Sequence, residues 1–242
     1  MCNIIWFKMS DTEAYDLSLC SKLMKNTQVM LQVECFTFNA FQENTYLIIN
    51  EKKECWIVDP GMYENEEVTT FTSYITKHGL QPVAIINTHT HLDHIFGVNA
   101  LKNLYNIPFG IHAGDIPVLK GAAGSAMLFG FTFPNIPTVD FYIQEQQPIP
   151  SGPSGIETRL APGHSPGSII FYHQEGKWMI GGDVLFYGSI GRTDLPGGNH
   201  NTLLKSITSE LYTLPDDTLV YSGHGPATTI GHEKLHNPFI RG

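Results

Sequence analysis

The chain has few of the features that mark a secreted, membrane-spanning or zinc-knuckle protein. Its 242 residues include four cysteines, at Cys2, Cys20, Cys35 and Cys55, and no CxxC pair. This usage suits a reducing compartment and excludes both a disulfide framework and a structural zinc knuckle. No apolar run approaches about 20 residues, so we expect no membrane span.

Basic residues are also scarce, because 14 Lys and Arg stand against 23 Asp and Glu, giving a net charge of -9. A nucleic-acid or anionic-membrane partner therefore has no electrostatic support. The N-terminus lacks the basic segment of a signal peptide and carries Asp11, Glu13 and Asp16 after its short apolar start. We expect a cytoplasmic protein with no nucleic-acid or membrane partner. The sequence leaves its oligomeric state open.

The first 29 residues show neither strand alternation nor a sustained helical stripe. We expect residues 1–29 to be an appendage outside the core fold, or a mis-assigned start with Met30 as the true one. The alternative is a short helix packed on the domain. Residues 30–242 are long enough for one sizeable core and are expected to form a single domain.

Strands and helices alternate in groups along this domain. The segments LQVECFTF, TYLIIN and ECWIVDPG are rich in β-branched and aromatic residues and read as three successive strands. NEEVTTFTSYITKHG has apolar residues at helical spacing and Gly79 as its stop. VAIIN reads as a buried strand, HIFGVNALKNLYN as a helix, and residues 113–138 as a helix and loop that cover something.

The second half repeats this rhythm, with strands at IETRLAPGH, SIIFYH, KWMIGGD and TLVYSGHG and a helix at NTLLKSITSELYTL. Helices fall between groups of strands and not after every strand. This order predicts two sheets with helices outside them, rather than a doubly wound parallel sheet.

The stretch THTHLDH, residues 88–94, places three histidines and an aspartate directly after a predicted strand. By composition, an HxHxDH pattern occurs by chance in roughly one chain in a thousand of this length. His89 and His91, two residues apart in extended chain, point to the same side. Asp93 and His94 turn away at the start of the next helix. Imidazole and carboxylate ligands without thiolate suit Zn²⁺, Fe or Mn²⁺.

Further ligands are expected from other loops, because one loop rarely closes a metal site. His164 in PGHSPGS, Asp183 in GGD and His224 in GHG each follow a predicted strand and stand between or beside glycines. A lone loop histidine is more often not a ligand. Together with THTHLDH, however, these residues strongly favour a metal site.

Five motifs, VDPG with Asp59, THTHLDH, PGHSPGS, GGD and GHG, resemble those of the metallo-β-lactamase superfamily of hydrolases. The resemblance runs from about Met30 to the end of the chain. It implies an α/β fold, a four-layer αββα sandwich with a dinuclear metal site at one edge of its two sheets. It assigns His89, His91 and His164 to the first metal, Asp93, His94 and His224 to the second, Asp183 as the bridge, and Asp59 as a brace for the histidine loop.

Within that superfamily, SIGRTDLPGGN and GHGPATTIGHEKLHNPF are similar to the glyoxalase II-like (hydroxyacylglutathione hydrolase-like) branch, especially its short bacterial members. True β-lactamases are expected to resemble the chain least. Long glyoxalase II enzymes add a C-terminal helical domain whose basic residues bind the glutathione carboxylate. This chain ends soon after His224, which leaves glutathione in question as the thiol carrier.

The expected reaction follows from the metal and from the leaving group. A metal-bound water has its pKa brought toward about 7, and the resemblance implies that Asp93 and Asp183 hold it. Because the histidines and carboxylates are consumed as ligands, no general acid is left over, which favours a thiolate leaving group. We expect a cytoplasmic thioesterase in which metal-bound hydroxide attacks an S-acyl-glutathione such as S-lactoylglutathione, or another acyl-thiol. Its cofactor would be two divalent ions, Zn²⁺ first, with Fe or Mn²⁺ as alternatives.

Several alternatives stay open. A mononuclear-iron persulfide (sulfur) dioxygenase shares this fold and a GRTD loop, and a non-catalytic metal-binding protein is a further rival. Arg192 either binds a substrate carboxylate or pairs with Asp194 or Asp183. The Phe-rich segment near Phe129–Phe133 either lines the mouth of the pocket or belongs to the core.

Overall fold

The computed structural model of the chain describes residues 31–133 and 135–242. The predicted appendage, residues 1–29, lies outside the described residues. Within the described part no helix is long and apolar enough to cross a membrane.

The first sheet has six strands, which lie in chain order from one edge to the other. They are β1 (Gln32–Phe38), β2 (Glu43–Ile49), β3 (Glu54–Val58), β4 (Gln81–Ile86), β5 (Phe109–His112) and β6 (Phe141–Ile143). The first three strands pair antiparallel, and β3 to β6 pair in parallel. The carboxyl ends of β3, β4 and β5 therefore lie side by side at one edge of the sheet.

The second sheet has five strands in the order β13-β12-β9-β8-β7. They are β7 (Glu157–Leu160), β8 (Ile169–His173), β9 (Trp178–Gly182), β12 (Leu219–Ser222) and β13 (Thr228–Thr229). Strand β12 runs parallel to β9, and the other pairs are antiparallel. A separate hairpin joins β10 (Leu185–Phe186) to β11 (Ser189–Ile190).

Within residues 31–133 and 135–242, five α-helices flank the sheets. They are α1 (Asn65–His78), α2 (Val98–Tyr105), α3 (Ile116–Leu128), α4 (His200–Ser206) and α5 (Ile230–His236). Helix α1 ends as predicted at Gly79, whose φ of 63° is left-handed backbone that favours glycine. A π-helical turn, Ile207–Leu211, continues α4.

Alternation along the strands separates three apolar layers. In β2, Leu47 and Ile49 pack with the helices α1 to α3, whereas Tyr46 and Ile48 face the other sheet. In β8, Ile170 packs with α4 and the turn after it, whereas Phe171 faces the first sheet. Strands buried on both faces are continuous apolar runs, as in VAIIN and SIIFYH. The predicted αββα sandwich is therefore confirmed.

The two sheets are tied together at the edge where their loops carry histidines. Asn44, at the start of β2, donates from its backbone N–H to the Gly223 carbonyl at 2.7 Å. Its side-chain amide donates to the carbonyls of Ser222 and Gly225, and the Tyr46 hydroxyl donates to that of Ser222 at 2.6 Å. These bonds fix the loop after β12 relative to the first sheet.

The structure corrects the predicted start of the second helix. HIFGVNALKNLYN was expected to be helical from His94, but α2 begins at Val98. A single 3₁₀ turn, Leu92–His94, carries Asp93 and His94 instead. The Asn87 amide donates to the His94 carbonyl at 2.7 Å, and the Gly97 N–H donates to the Pro60 carbonyl. These long-range bonds hold the segment out of a continuous helix.

The apolar layer between the sheets generates a prediction about stability. Phe171 is fully buried there, so Phe171→Ala is expected to lower the free energy of unfolding by about 3–5 kcal/mol. Urea denaturation of metal-free protein measures this loss. The matched control is Phe239→Ala, whose side chain is 56% exposed and whose change should stay within about 0.5 kcal/mol. Equal losses for the two variants would contradict the assigned core.

Candidate metal centre

The seven predicted ligands come together at the edge of the sandwich. The loop after β4 carries His89, His91, Asp93 and His94, and the loops after β7, β9 and β12 carry the other three, His164, Asp183 and His224. One of these loops follows a strand of the first sheet and three follow strands of the second sheet. Four loops therefore contribute side chains to one small volume.

Three imidazoles form the first group. His91 Nδ1 lies 2.8 Å from His164 Nε2, which lies 3.2 Å from His89 Nε2. The three nitrogens meet the geometry of a possible metal site, with all ligand atoms within 4.8 Å of one another. His89 and His164 are buried and His91 is nearly so.

A second group lies beside the first and contains Asp93, His94 and His224. His224 Nε2 lies 3.2 Å from Asp93 Oδ2, and His94 Nε2 lies 3.7 Å from the same oxygen. Asp183 stands between the two groups. Its Oδ1 lies 3.5 Å from His94 Nε2, and its Oδ2 lies 3.5 Å from both His164 Nε2 and His224 Nε2.

The second ring nitrogen of several histidines is held by the protein. His164 Nδ1 lies 2.8 Å from the carbonyl of Arg192, and His224 Nδ1 lies 3.0 Å from that of Phe41. A carbonyl only accepts, so these contacts place the proton on Nδ1 and leave Nε2 with its lone pair toward the cluster. The GRTD loop thus contributes a backbone group to the site.

Asp59 braces the histidine loop from the end of β3. Its Oδ1 accepts from the Thr88 N–H at 2.7 Å and its Oδ2 from the Thr88 hydroxyl at 2.6 Å. His94 Nδ1 also lies 3.2 Å from Oδ2. Asp59, His89 and His94 are close enough to form a third possible ligand group. Because both carboxylate oxygens already serve Thr88 and His94, we assign Asp59 an orienting role and no metal.

Close backbone approach explains the glycines in GGD and GHG. A Cβ at Gly182, whose φ is +50°, would lie 2.3 Å from Thr88 Oγ1. A Cβ at Gly223 would lie 2.1 Å from Asp183 Oδ1 and 2.9 Å from His94 Cε1. Side chains at these positions would displace the loop after β4 and the carboxylate of Asp183.

Burial and neighbouring charge set the protonation of the cluster. Burial, with His164 beside it, lowers the pKa of His91 to about 3, and burial likewise holds the pKa of His89 well below its usual value. Both imidazoles are therefore neutral near pH 7, the form that binds metal. Burial also opposes charge on His94, but the carboxylates of Asp93 and Asp183 raise its pKa well above the usual value.

The cluster leaves buried polar atoms that a bound cation would satisfy. Among the described residues, neither His94 Nε2 nor Asp183 Oδ1 has a hydrogen-bond partner, although both atoms are buried. Buried polar atoms without partners cost free energy, commonly about 1–3 kcal/mol each. Convergent imidazole nitrogens and carboxylate oxygens are the donors that divalent transition metals prefer. Ligation by these seven residues stays a prediction.

A second buried carboxylate, which the sequence analysis missed, braces the site from the other side. Asp115 follows β5, and its Oδ2 accepts from the Thr90 N–H at 2.6 Å and the Thr90 hydroxyl at 2.9 Å. Its Oδ1 accepts from the Gly167 N–H at 2.8 Å and from the Ser165 hydroxyl. Asp115 therefore joins the loop of His89 and His91 to the loop of His164. The available signal was its position directly after a strand, in GIHAGD.

A cavity of about 700 Å³ opens above the cluster. Its floor includes the ligand candidates His91, Asp93, His164, Asp183 and His224, and its walls are mostly apolar. Phe129 lines the cavity, whereas Phe131 and Phe133 pack against the core beside α1 to α3. The Phe-rich segment thus serves both of the predicted purposes.

Arg192 lines this cavity and is paired. Its Nε and Nη2 donate to the two carboxylate oxygens of Asp194, each at 2.7 Å. The pair is largely exposed to solvent. Pairing of Arg192 with Asp194 is one of the two alternatives predicted from the sequence. A role of Arg192 in binding a substrate carboxylate stays a prediction.

Comparisons with known proteins agree with this geometry. The family model described as "Metallo-beta-lactamase superfamily" matches residues 38–224. "Probable metallo-hydrolase YqgX" of Bacillus subtilis is 43% identical over 83% of this chain and 93% of its own. "Hydroxyacylglutathione hydrolase GloC" of Haemophilus influenzae is 35% identical over 87% of this chain and 98% of its own.

Two solved structures are also similar. The B3 metallo-beta-lactamase BLEG-1 superposes with a TM-score of 0.80 and 38% identity, covering 87% of this chain and 100% of its own. TTHA1623, solved in a di-iron-bound form, has a TM-score of 0.78 and 36% identity, covering 86% and 100%. BLEG-1 is more similar to this chain than we expected of a β-lactamase, whereas the DIM-1 metallo-beta-lactamase is 18% identical to it, with a TM-score of 0.63.

The brace at Asp115 generates a prediction about metal affinity. Asp115→Ala removes the acceptor of four donors and frees the loops that carry His89, His91 and His164. We expect metal affinity to fall about 10–100-fold, the usual effect of losing a group that orients ligands. Competition with a chromophoric chelator measures the affinity.

The matched control is Asp217→Asn, because Asp217 is exposed and pairs with Lys177 at the surface. Its metal affinity should equal that of the parent protein. Thermal unfolding of both metal-free variants separates loss of the fold from loss of the site. Unchanged affinity in Asp115→Ala would contradict the bracing role.

Proposed function

We propose, from the premise that the chain belongs to the metallo-beta-lactamase superfamily and is a metal-dependent hydrolase, that its substrate is a thioester. The observation that carries this proposal is the composition of the cavity floor. Every histidine and carboxylate that lines the cavity belongs to the seven-residue cluster. The reaction must therefore proceed with little help from a separate proton donor.

In this proposal, His89, His91 and His164 hold one divalent ion, Asp93, His94 and His224 hold a second, and Asp183 lies between them. Such ions lower the pKa of bound water toward neutrality and polarise an acyl carbonyl. The metal is proposed to be Zn²⁺, with iron as the principal alternative because TTHA1623 is described in a di-iron-bound form.

The protein's own contribution is to fix the ligands and to exclude water. Asp59 and Asp115 hold the loop of residues 88–94 from both sides, and the carbonyls of Arg192 and Phe41 orient two imidazoles. The apolar walls over the cluster lower the local dielectric, which strengthens electrostatic interactions with the reacting carbonyl.

A thioester suits this site because its leaving group does not require a proton. Outside the cluster, the ionisable side chains lining the cavity are Arg192, paired with Asp194, and Tyr187, which is 57% exposed and stacks on His232. Neither is placed as a buried proton donor. A thiolate, from a thiol of pKa about 8.5, departs without a proton, whereas an alkoxide or an amine requires one.

GloC, a relative named as a hydroxyacylglutathione hydrolase, supports thioester hydrolysis as the reaction. The rival enzyme is a persulfide dioxygenase, favoured by the GRTD loop around Arg192. That enzyme would use one iron and would not require the second group of Asp93, His94 and His224. Because those three side chains are assembled beside the first group, we favour the hydrolase.

Metal analysis of the purified protein, followed by product analysis, tests the proposal. We expect about two metal ions per chain and release of thiol from S-lactoylglutathione or another acyl-thiol. One iron per chain, with O₂ uptake and sulfite formed from glutathione persulfide, would establish the dioxygenase instead. Metal-loaded protein that cleaves no thioester, ester or phosphodiester would favour the non-catalytic alternative.

The missing proton donor generates a separate prediction. For one acyl group, the thioester should exceed the matched oxyester in kcat/KM by about 100-fold or more, since general acid catalysis is commonly worth 10²–10⁴. Steady-state kinetics on paired substrates measures the ratio, with alkaline hydrolysis as the control for intrinsic reactivity. A β-lactam belongs in the same panel, because BLEG-1 is described as a β-lactamase. A kcat/KM for the β-lactam or oxyester equal to that for the thioester would contradict the preference for a thiolate leaving group.

A further inference from the structure

We propose that the substrate is a thioester with an apolar acyl chain on an uncharged thiol carrier, and that the chain lies along α3 in the cavity above the cluster. This inference rests on the proposed thioesterase function and names its substrate class. Three observations support it: the small side chains on one face of α3, the apolar residues elsewhere in the cavity lining, and the scarcity of cationic side chains in that lining.

One face of α3 forms a wall of the cavity. Val118, Gly121, Ala122 and Ser125 line it, at the spacing of one helical face, and Phe129 extends that face beyond the end of the helix. Three of these residues are small. An added Cβ at Gly121 would meet nothing within 4 Å. The face is therefore recessed and leaves room for a ligand beside the helix.

Other residues that line the cavity are apolar as well. Phe186 follows Asp183 in the hairpin, and Leu195 and Pro196 follow the GRTD segment. Phe41 stands at the same opening, where its ring packs edge-to-face on Phe129 at 5.7 Å between centroids. A volume of about 700 Å³ lies within the usual range for a small-molecule site. An apolar chain is the ligand that buries most surface between these walls.

The charges of the lining disfavour glutathione. Of the described residues that line the cavity, Arg192 is the only lysine or arginine, and its Nε and Nη2 donate to the carboxylate of Asp194, which offsets its charge. Glutathione carries two carboxylates and one ammonium group. With a single cation whose charge Asp194 already offsets, two carboxylates would lose hydration for little compensating attraction. A neutral carrier avoids that cost.

A chain-length series tests the proposal. The substrates are acetyl, butyryl, hexanoyl and octanoyl thioesters of N-acetylcysteamine, a neutral thiol, and the readout is thiol release by metal-loaded protein. We expect kcat/KM to rise by up to about fourfold per methylene, the factor that corresponds to about 0.8 kcal/mol, and by more than tenfold over the series. S-octanoylglutathione should be at least tenfold poorer than the matched N-acetylcysteamine thioester.

Two variants of α3 place the acyl chain in the cavity. Gly121→Leu fills the recessed face and should lower the octanoyl-to-acetyl ratio of kcat/KM about tenfold. Gly124→Leu is the matched control, because Gly124 is also an exposed helical glycine with nothing within 4 Å of an added Cβ but does not line the cavity. Its ratio should equal that of the parent protein.

A binding measurement separates the substrate class from catalysis. The octyl thioether of N-acetylcysteamine is not hydrolysed, and calorimetry should show that it binds the parent and Gly124→Leu proteins at least tenfold more tightly than Gly121→Leu. If thioesters are cleaved but kcat/KM is flat or falls with chain length, or glutathione is the better carrier, the inference fails and the thioesterase stands. If no thioester is cleaved, the proposed function fails. If the octyl thioether does not bind, the assignment of the acyl chain to the cavity fails, whether or not thioesters are cleaved.

Discussion

The structure depends on two buried carboxylates that hold one irregular loop. Residues 88–94 have no regular hydrogen-bond ladder, yet Thr88, His89, Thr90 and His94 are buried. Polar groups buried in this way require partners. Asp59 satisfies Thr88 from the end of β3, and Asp115 satisfies Thr90 from the turn after β5. Because β3 and β5 are the two parallel neighbours of β4, the sheet order itself delivers a carboxylate to each side of the loop.

The same arrangement explains how a cluster of five imidazoles and two carboxylates persists at the sandwich edge. His89 and His91 are neutral because of burial, so they add no positive charge to a crowded site. Burial opposes charge on His94, whereas the neighbouring carboxylates of Asp93 and Asp183 raise its pKa. Two ring nitrogens that point away from the cluster meet backbone carbonyls of Arg192 and Phe41. Segments distant in the sequence thus fix which nitrogen of each ring is available.

The sequence predicted the ligand candidates and the sandwich because both leave local signals. Each of the loops holding His164, Asp183 and His224 follows an apolar run and contains glycines, and the strands alternate between two apolar faces. Asp115 leaves a weaker signal, its position after the strand in GIHAGD, because the sequence does not show that it accepts hydrogen bonds from Thr90 and Ser165, far away in the chain. The strand β6 and the hairpin β10-β11 were also missed. They are three and two residues per strand, too short for any periodicity.

Helix α3 shows how a missing pattern carries information. Its sequence, IPVLKGAAGSAML, lacks the polar stripe of an ordinary surface helix, which is why residues 113–138 showed no clear periodicity. In the structure, Leu119, Ala122 and Ala126 pack into the core, while Val118, Gly121 and Ser125 line the cavity. A helix between a core and a cavity is apolar on both sides. A cavity for a charged tripeptide would have placed polar groups on the second side. The apolar face that α3 presents to the cavity and the pairing of Arg192 with Asp194 both favour an apolar ligand above the cluster.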